Sequence, residues 1–249
     1  MAPRKKREIF VGTSGFYYDG WRGIFYPDDL KKEKMLSYYA ERFSTVEINS
    51  TFYHLPTEKT ARRWHDRVGT SFVFSVKGSR YITHRRKLKD VKDSLELFYK
   101  SIQGLRRKIG AVLFQLPPSL RRDNELLRSF LELLDRRRRH VLEFRHESWF
   151  ETGVYEILRS FGAAFCAQSH PRLPEDFERT SDFLYIRFHG VPKLYTSNYS
   201  DAELERWADR IAEAIGSTAS VYCYFNNDVD GHAVRNAEKM REILYLRLR

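Results

Sequence analysis

Thr45-Val46-Glu47-Ile48-Asn49 places two β-branched side chains on one face of an extended segment and three polar ones on the other. Val141-Leu142-Glu143-Phe144-Arg145 repeats the arrangement with Leu142 and Phe144 opposite Glu143 and Arg145. Phe72 to Lys77 does so with Ser75 and Lys77 on the polar side. Short β-branched or aromatic runs of this kind occur at 9–12, 45–49, 72–77, 111–116, 141–145, 163–168, 183–189 and 221–226. Between them, apolar residues recur at helical spacing over 30–43, 57–67, 91–105, 124–134, 154–161, 200–215 and 233–246. Strict alternation of strand and helix calls for a parallel sheet covered by helices. Eight such units in 249 residues have the size of a TIM barrel. The expected fold class is α/β, a single parallel eight-stranded (β/α)8 TIM barrel over residues 1–249, with residues 1–7 as a basic tail. The segment 169–182 contains Pro171 and Pro174, so a weak or shortened helix is expected after strand six. The alternative is an open doubly wound sheet. Its G-x-G-x-x-G phosphate loop is absent after the first strand, where the chain reads Gly12-Thr13-Ser14-Gly15-Phe16.

In a barrel, strand residues alternate between the interior and the helix layer. Val46, Ile48, Leu142 and Phe144 then face the helices. Glu47, Asn49, Lys77, Gln115, Glu143, Arg145, Arg187, His189 and Asn226 point inward at the C-terminal ends of their strands. Catalytic residues of TIM barrels sit at that mouth. Two carboxylates and three cations in a barrel interior are costly unless paired or used. The reading in terms of function makes Glu47, Glu143 and His189 the proton-moving groups. Asn49, Tyr53, Lys77, Gln115, Arg145, His146, Arg187, Asn226 and Asp228 become substrate-binding. Three cations against two carboxylates leave one positive charge over, which suits a phosphate or carboxylate. The structural alternative is an internal ion-pair network that plugs the barrel. A pair of carboxylates across the barrel also raises a glycosidase. No cofactor is expected. A divalent metal is the weaker reading: Glu47, Glu143, His146, His189 and Asp228 are candidate ligands, but no H-x-H, H-E-x-x-H or Cys/His spacing supports them. Trp21, Tyr53, Tyr81, Trp149 and Tyr195 fall in loops of the same face, where packing of the loops is the simplest role and stacking on a sugar or base the alternative.

The formal charge is +11, and Arg4-Lys5-Lys6-Arg7, Arg106-Arg107-Lys108 and Arg136-Arg137-Arg138-Arg139 together hold as many basic residues as that excess. Each run directly precedes a strand, at the end of the barrel opposite the predicted site. They read as solvated faces. Only Arg85, Arg86 and Lys87 bring a basic cluster near the mouth, and a nucleic-acid substrate would meet positive charge there. Hydrophobic residues form 42% of the chain, with 18 Phe and 15 Tyr, which excludes disorder as the main state. The longest apolar runs are five residues, far short of a membrane span. No apolar stretch follows the basic N-terminus, so no signal peptide is expected. Cys166 and Cys223 are too few for a disulfide scaffold or a four-cysteine zinc site and read as core residues. These features point to the cytoplasm and away from membranes. Three Gln, six Asn and an Arg-rich surface suit a heat-adapted source.

The strand ends carry ordered motifs. They are Gly12-Thr13-Ser14-Gly15, Trp21-Arg22-Gly23, Phe25-Tyr26-Pro27, Val46-Glu47-Ile48-Asn49-Ser50-Thr51-Phe52-Tyr53, Ile82-Thr83-His84, Gln115-Leu116-Pro117-Pro118, Glu143-Phe144-Arg145-His146 with Trp149, Arg187-Phe188-His189-Gly190, and Tyr224-Phe225-Asn226-Asn227-Asp228 with Gly231, Asn236 and Ala237. The chain resembles the YecE-like family, a domain of unknown function numbered seventy-two, over nearly its whole length. Phe16 stands where that family commonly has Trp, and Ser79 lies where a Pro is common. The resemblance implies a TIM barrel and supplies no established reaction. The expected function is an enzyme acting on a small anionic or sugar-like substrate in the barrel mouth, with hydrolysis, isomerisation and lyase chemistry all open. The alternatives are a nucleic-acid-binding protein or nuclease, and a non-catalytic barrel with a structural polar interior.

Overall fold

The computed structural model describes residues 8–216 and 220–248. The basic run at residues 4–7 lies outside them. Eight strands, β1 (Ile9–Thr13), β2 (Thr45–Ile48), β3 (Val73–Lys77), β4 (Ile109–Gln115), β5 (His140–Glu143), β6 (Ala164–Ser169), β7 (Phe183–Phe188) and β8 (Ser220–Phe225), pair in parallel in the order β1-β8-β7-β6-β5-β4-β3-β2. Helices α1 (Met35–Arg42), α2 (Ser50–Tyr53), α3 (Glu58–Asp66), α4 (Lys92–Ile102), α5 (Asn124–Glu132), α6 (Thr152–Phe161), α7 (Asp201–Ala214) and α8 (His232–Arg247) surround the sheet. The result is a nearly closed (β/α)8 TIM barrel. Local signals set the helix starts. Thr57, Asp123 and Ser200 accept backbone N–H bonds as N-caps, and Glu203 completes a capping box with Ser200. Between β6 and β7 the expected short helix is reduced to turns and extended chain, with no helix over residues 170–182. Pro171 and Pro174 remove backbone donors there. Thr180 Oγ1 ties the segment back by accepting from Phe165 N and donating to Ala163 O, both at 2.7 Å.

The seam between β1 and β2 is the place where the barrel closes without a full ladder. At its upper end Ser14 and Glu47 form a single bridge, and Gly15 N–H donates to Glu47 O at 2.8 Å. Lower down, the Tyr39 hydroxyl from α1 stands between the strands. It accepts from Thr13 N at 2.9 Å and donates to Thr45 O at 3.1 Å. The strands run so close at Gly12 that an added Cβ would lie 2.4 Å from Thr45 O.

Two apolar layers follow from the alternation. Val46, Ile48, Leu142, Phe144 and Cys223 pack outward under the helices. Phe10, Leu113, Val141, Cys166, Phe183 and Tyr185 fill the lower barrel interior. The Tyr224 hydroxyl closes that inner layer with hydrogen bonds to Thr45 Oγ1 (2.6 Å) and Ser75 Oγ (2.8 Å). Above this plug the interior is polar.

Tyr39→Phe removes the hydroxyl that joins β1 to β2 and leaves Thr13 N–H and Thr45 C=O buried without it. A loss of about 1–3 kcal/mol is expected in urea unfolding. Gly12→Ala should cost at least as much, because the neighbour it meets is backbone and cannot rotate away.

Candidate functional site

Arg187 projects from β7 into the barrel between Glu47 on β2 and Glu143 on β5. Its Nη1 donates to Glu143 Oε2 and its Nη2 to Glu47 Oε1, each at 2.7 Å. All three side chains are fully buried. Ser14 Oγ donates to Glu47 Oε1 at 2.7 Å and the Tyr185 hydroxyl to Glu47 Oε2 at 2.6 Å. Glu143 Oε1 accepts from Arg145 Nη2 at 2.6 Å and lies 2.9 Å from His189 Nε2. On the other side of the imidazole, Asn226 Nδ2 lies 3.2 Å from Nδ1. Arg145 Nη2 also lies 2.9 Å from the same Nε2, so the imidazole is enclosed by donors from Arg145 and Asn226 and by the Glu143 carboxylate.

These contacts decide the electrostatics. Burial alone would push the Glu143 carboxyl up, but Arg145, Arg187 and His189 outweigh it and hold Glu143 well below the usual carboxylate range. Burial, followed by the Arg145 charge, drives His189 well below the usual imidazole range, so the ring is neutral. Burial would lower Arg187, and the two glutamates reverse that and keep it charged. Glu47, Glu143, Arg145, Arg187 and His189 therefore meet as the sequence alternation predicts, but as one interlocked network. A glycosidase needs one carboxylic acid kept protonated, and Glu143 is held ionised.

Lys77 is placed differently. It ends β3, its side chain is only 9% exposed, and its Nζ makes no ion pair or hydrogen bond among the described residues. Its partner is the Phe52 ring of α2, with Nζ 4.3 Å from the centroid. Burial, and then the Arg187 charge, pushes its pKa down to about 7. The backbone beneath it is pinned, since Thr51 Oγ1 donates to Lys77 O at 2.6 Å.

Other polar atoms at the mouth also lack partners. Asn49 is the N-cap of α2, yet its side chain makes no capping bond and its Oδ1 is buried and unpaired. Arg145 Nε, Arg187 Nε and Gln168 Oε1 are buried and unpaired as well. Buried polar atoms without partners are uncommon. Gln115 is half-buried at the end of β4 beside Glu143 in register.

The remaining predicted residues sit at the edge. His146 Nδ1 caps the turn Glu147–Trp149, 3.1 Å from Ser148 N, so half of its ring serves the loop. Asp228 forms no ion pair among the described residues; burial raises its carboxyl pKa, and its backbone oxygen accepts from Trp21 Nε1 at 2.8 Å. Trp21 and Trp149 are fully buried and pack the loops, whereas Tyr53 (61%), Tyr81 and Tyr195 are exposed on the rim. Sequence reasoning passed over four participants. Gln168 follows from the same alternation on β6 (Ala164, Cys166, Gln168), whose register pairs it with Arg187. Tyr185 and Ser14 are ordinary residue types whose roles appear only when they reach Glu47. His84 sits on a π-type turn, Tyr81–Arg85, with its ring 4.9 Å from that of Phe52, and burial lowers its pKa to about 4.

Among the described residues no three His, Cys, Asp or Glu side chains gather as metal ligands would. No described helix is long and apolar enough to cross a membrane. Two arginine-lined hollows lie at the opposite end of the barrel, one around Arg106, Arg107 and Arg137–Arg139 with Tyr222, the other around Arg136–Arg139 with His140. That end is not simply solvated. Lys108 is buried, and its Nζ donates to His65 O and Val68 O.

A model described as a protein of unknown function, DUF72, matches residues 10–248. The chain belongs to the DUF72 family. It is 26% identical over 270 residues to the UPF0759 protein YunF of Bacillus subtilis (strain 168), covering 95% of this chain and 94% of YunF. It is 31% identical over 122 residues to the UPF0759 protein YecE of Escherichia coli (strain K12), a match spanning 45% of YecE. The crystal structure of a DUF72 family protein from Thermotoga maritima MSB8 superposes with a TM-score of 0.88 at 30% identity, covering 96% of this chain and all of that one. A DUF72 protein from Enterococcus faecalis V583 shares the fold at 19% identity, with a TM-score of 0.81 and 95% of each chain covered. No substrate or reaction comes with the DUF72 name, so the site must be argued from its chemistry.

Arg187→Met and Lys77→Met should move stability in opposite directions. The first leaves two buried carboxylates without their shared cation and should cost about 3–5 kcal/mol or prevent folding. The second removes an ammonium that burial disfavours. The Lys77 pKa falls from 10.5 in the unfolded chain to about 7 in the fold. The unfolded state therefore binds the extra proton within that window, wild-type stability rises with pH across it, and the penalty is complete below pH 7. Urea titration at about pH 6 should show Lys77→Met more stable than wild type by about 4–5 kcal/mol, with the gain shrinking as the pH rises from 7 toward 10.5. A destabilised Lys77→Met at the lower pH would mean that the ammonium has a partner in solution.

Proposed function

We propose that the barrel mouth is the active site of an enzyme that acts on a small organic anion, a carboxylate or phosphate ester. The observation that carries this reading is the difference between committed and uncommitted groups. Glu47, Glu143 and Arg187 are matched to one another, whereas Lys77 has no ionic partner and Arg145 engages Glu143 and His189 through Nη2 alone. Arg145 and the protonated fraction of Lys77 supply the positive charge that an anionic ligand meets. Asn49, Gln115 and Gln168 offer amides to orient it, and the same amides suit the hydroxyls of a sugar-like substrate. Tyr53, Tyr81 and Tyr195 stand on the rim around it.

The roles differ from those that residue types alone suggest. Glu47 and Glu143 hold Arg187 in place, and Glu143 with His189 holds Arg145. Lys77 has a pKa pushed down to about 7 and no ionic partner among the described residues, which suits proton transfer at neutral pH. The buried network then serves as the rigid shell that fixes the cations.

A thermal-shift panel at fixed ionic strength tests the reading, with phosphate, small carboxylates, sugar phosphates, divalent metals against a chelator, and a short oligonucleotide. A small anion at a hundred times its Kd should stabilise the fold by about 2.7 kcal/mol, and Lys77→Met should lose that response. A panel flat for every small anion overturns the proposal. A response to the oligonucleotide alone, abolished by neutralising Arg106, Arg107 and Arg137, would move the function to the arginine-lined end of the barrel.

A further inference from the structure

We infer that Lys77 is a covalent catalytic residue whose Nζ condenses with the carbonyl carbon of an aldehyde or ketone bearing a carboxylate or phosphate group. This rests on the anion-binding reading above and names the second functional group of the substrate.

The other nucleophile types in the barrel are spoken for. Cys166 and Cys223 are fully buried, and burial pushes both thiols up, away from the reactive thiolate. Ser14 Oγ donates to Glu47, and no imidazole is placed to take its proton. Lys77 is a nucleophile in the barrel whose head group makes no hydrogen bond or ion pair among the described residues. An amine attacks carbonyls only when unprotonated, and lysines that do so are desolvated in apolar surroundings or set beside other cations. Lys77 has both conditions. Its Nζ lies over the Phe52 ring, and Arg187 from β7 and Arg145, two residues past β5, act on it. Glu47 and Glu143 also face it and would restore its proton, but their oxygens are already bound to Ser14, Tyr185, the two arginines and His189. His84, the remaining titratable neighbour, shares the Phe52 ring with Lys77 and is neutral. At neutral pH a large fraction of Lys77 is therefore the free amine, which no surface lysine with an ordinary pKa of 10.5 matches.

The step balances without a cofactor. The Nζ lone pair forms a C–N bond to the carbonyl carbon while the C=O π pair moves to oxygen. A proton passes from nitrogen to that oxygen through water, giving a carbinolamine. A second proton on the hydroxyl lets the C–O bond break, and water leaves as the nitrogen lone pair forms the C=N bond. The second proton comes from solvent, so the sum is a free amine, a proton and a carbonyl giving a protonated imine plus water. The iminium carries one positive charge beside the substrate's anionic group. Such an iminium draws electrons from the adjacent carbon, which opens aldol, retro-aldol and decarboxylation chemistry.

The test is reductive trapping on the full chain at about pH 7. Pyruvate, glyoxylate and dihydroxyacetone phosphate are the probes, cyanoborohydride the reductant, and peptide mass spectrometry the readout. The expected result is an adduct on Lys77 in excess over every other lysine, half-maximal near pH 7. Lys77→Met and Lys77→Arg should abolish that adduct, the latter while retaining the cation. Lactate, which has the carboxylate of pyruvate but no carbonyl, separates the two proposals. If lactate shifts the melting temperature of wild type and Lys77→Arg but no probe marks Lys77, the covalent role is overturned and the anion site stands. If neither lactate nor phosphate shifts the melting temperature and no adduct forms, both fail. Adducts spread evenly over the surface lysines also overturn the inference.

Discussion

The guanidinium of Arg187, held between Glu47 and Glu143, is the interaction on which the upper half of this barrel depends. A charge removed from water in a protein interior costs several kcal/mol unless it is paired and its hydrogen bonds are made. Here one cation joins strands β2, β5 and β7 across the barrel axis, and each carboxylate oxygen finds a donor. The network leaves little room for alternative packing at this level. It also relieves the apolar core of filling the mouth, because the hydrophobic layer ends at Tyr224 and Tyr185.

That arrangement has a consequence for chemistry. Within this network Glu143 is held ionised and His189 neutral. Among the described residues the network leaves out Lys77, which has no counter-ion, the Asn49 carbonyl oxygen, which is unpaired, and Arg145 Nε. Lys77 is held where solvation is poor, so the fold gives up stability at a site where an ordinary core would place a branched apolar residue. Trade-offs of that kind concentrate at functional sites.

Closure of the barrel has its own constraint. β1 and β2 do not form a full ladder, and the gap is spanned by the Tyr39 hydroxyl and by the close approach at Gly12. The Ser14–Glu47 bridge above it belongs to both the seam and the site. Barrel closure and the position of Glu47 are thus coupled through one residue pair.

The sequence by itself determined the architecture and the direction of each strand side chain. Period-two alternation in Thr45–Ile48 and His140–Glu143, set between helices with their own caps, leaves only one way to bury Val46, Ile48 and Leu142, and this sends Glu47 and Glu143 inward. Even Gln168 was within reach of the same rule. What the sequence could not carry is which inward groups find each other, because pairing depends on distances across the barrel between strands far apart in the chain. Residue type suggested Glu143 and His189 as proton carriers. The tertiary structure made them partners of Arg145, Arg187 and Asn226, since a buried charge takes the nearest opposite charge before it serves anything else. By the same logic Lys77, which reads in sequence as one cation among three, became the one left without an ionic partner, and only its distance from both carboxylates decided that.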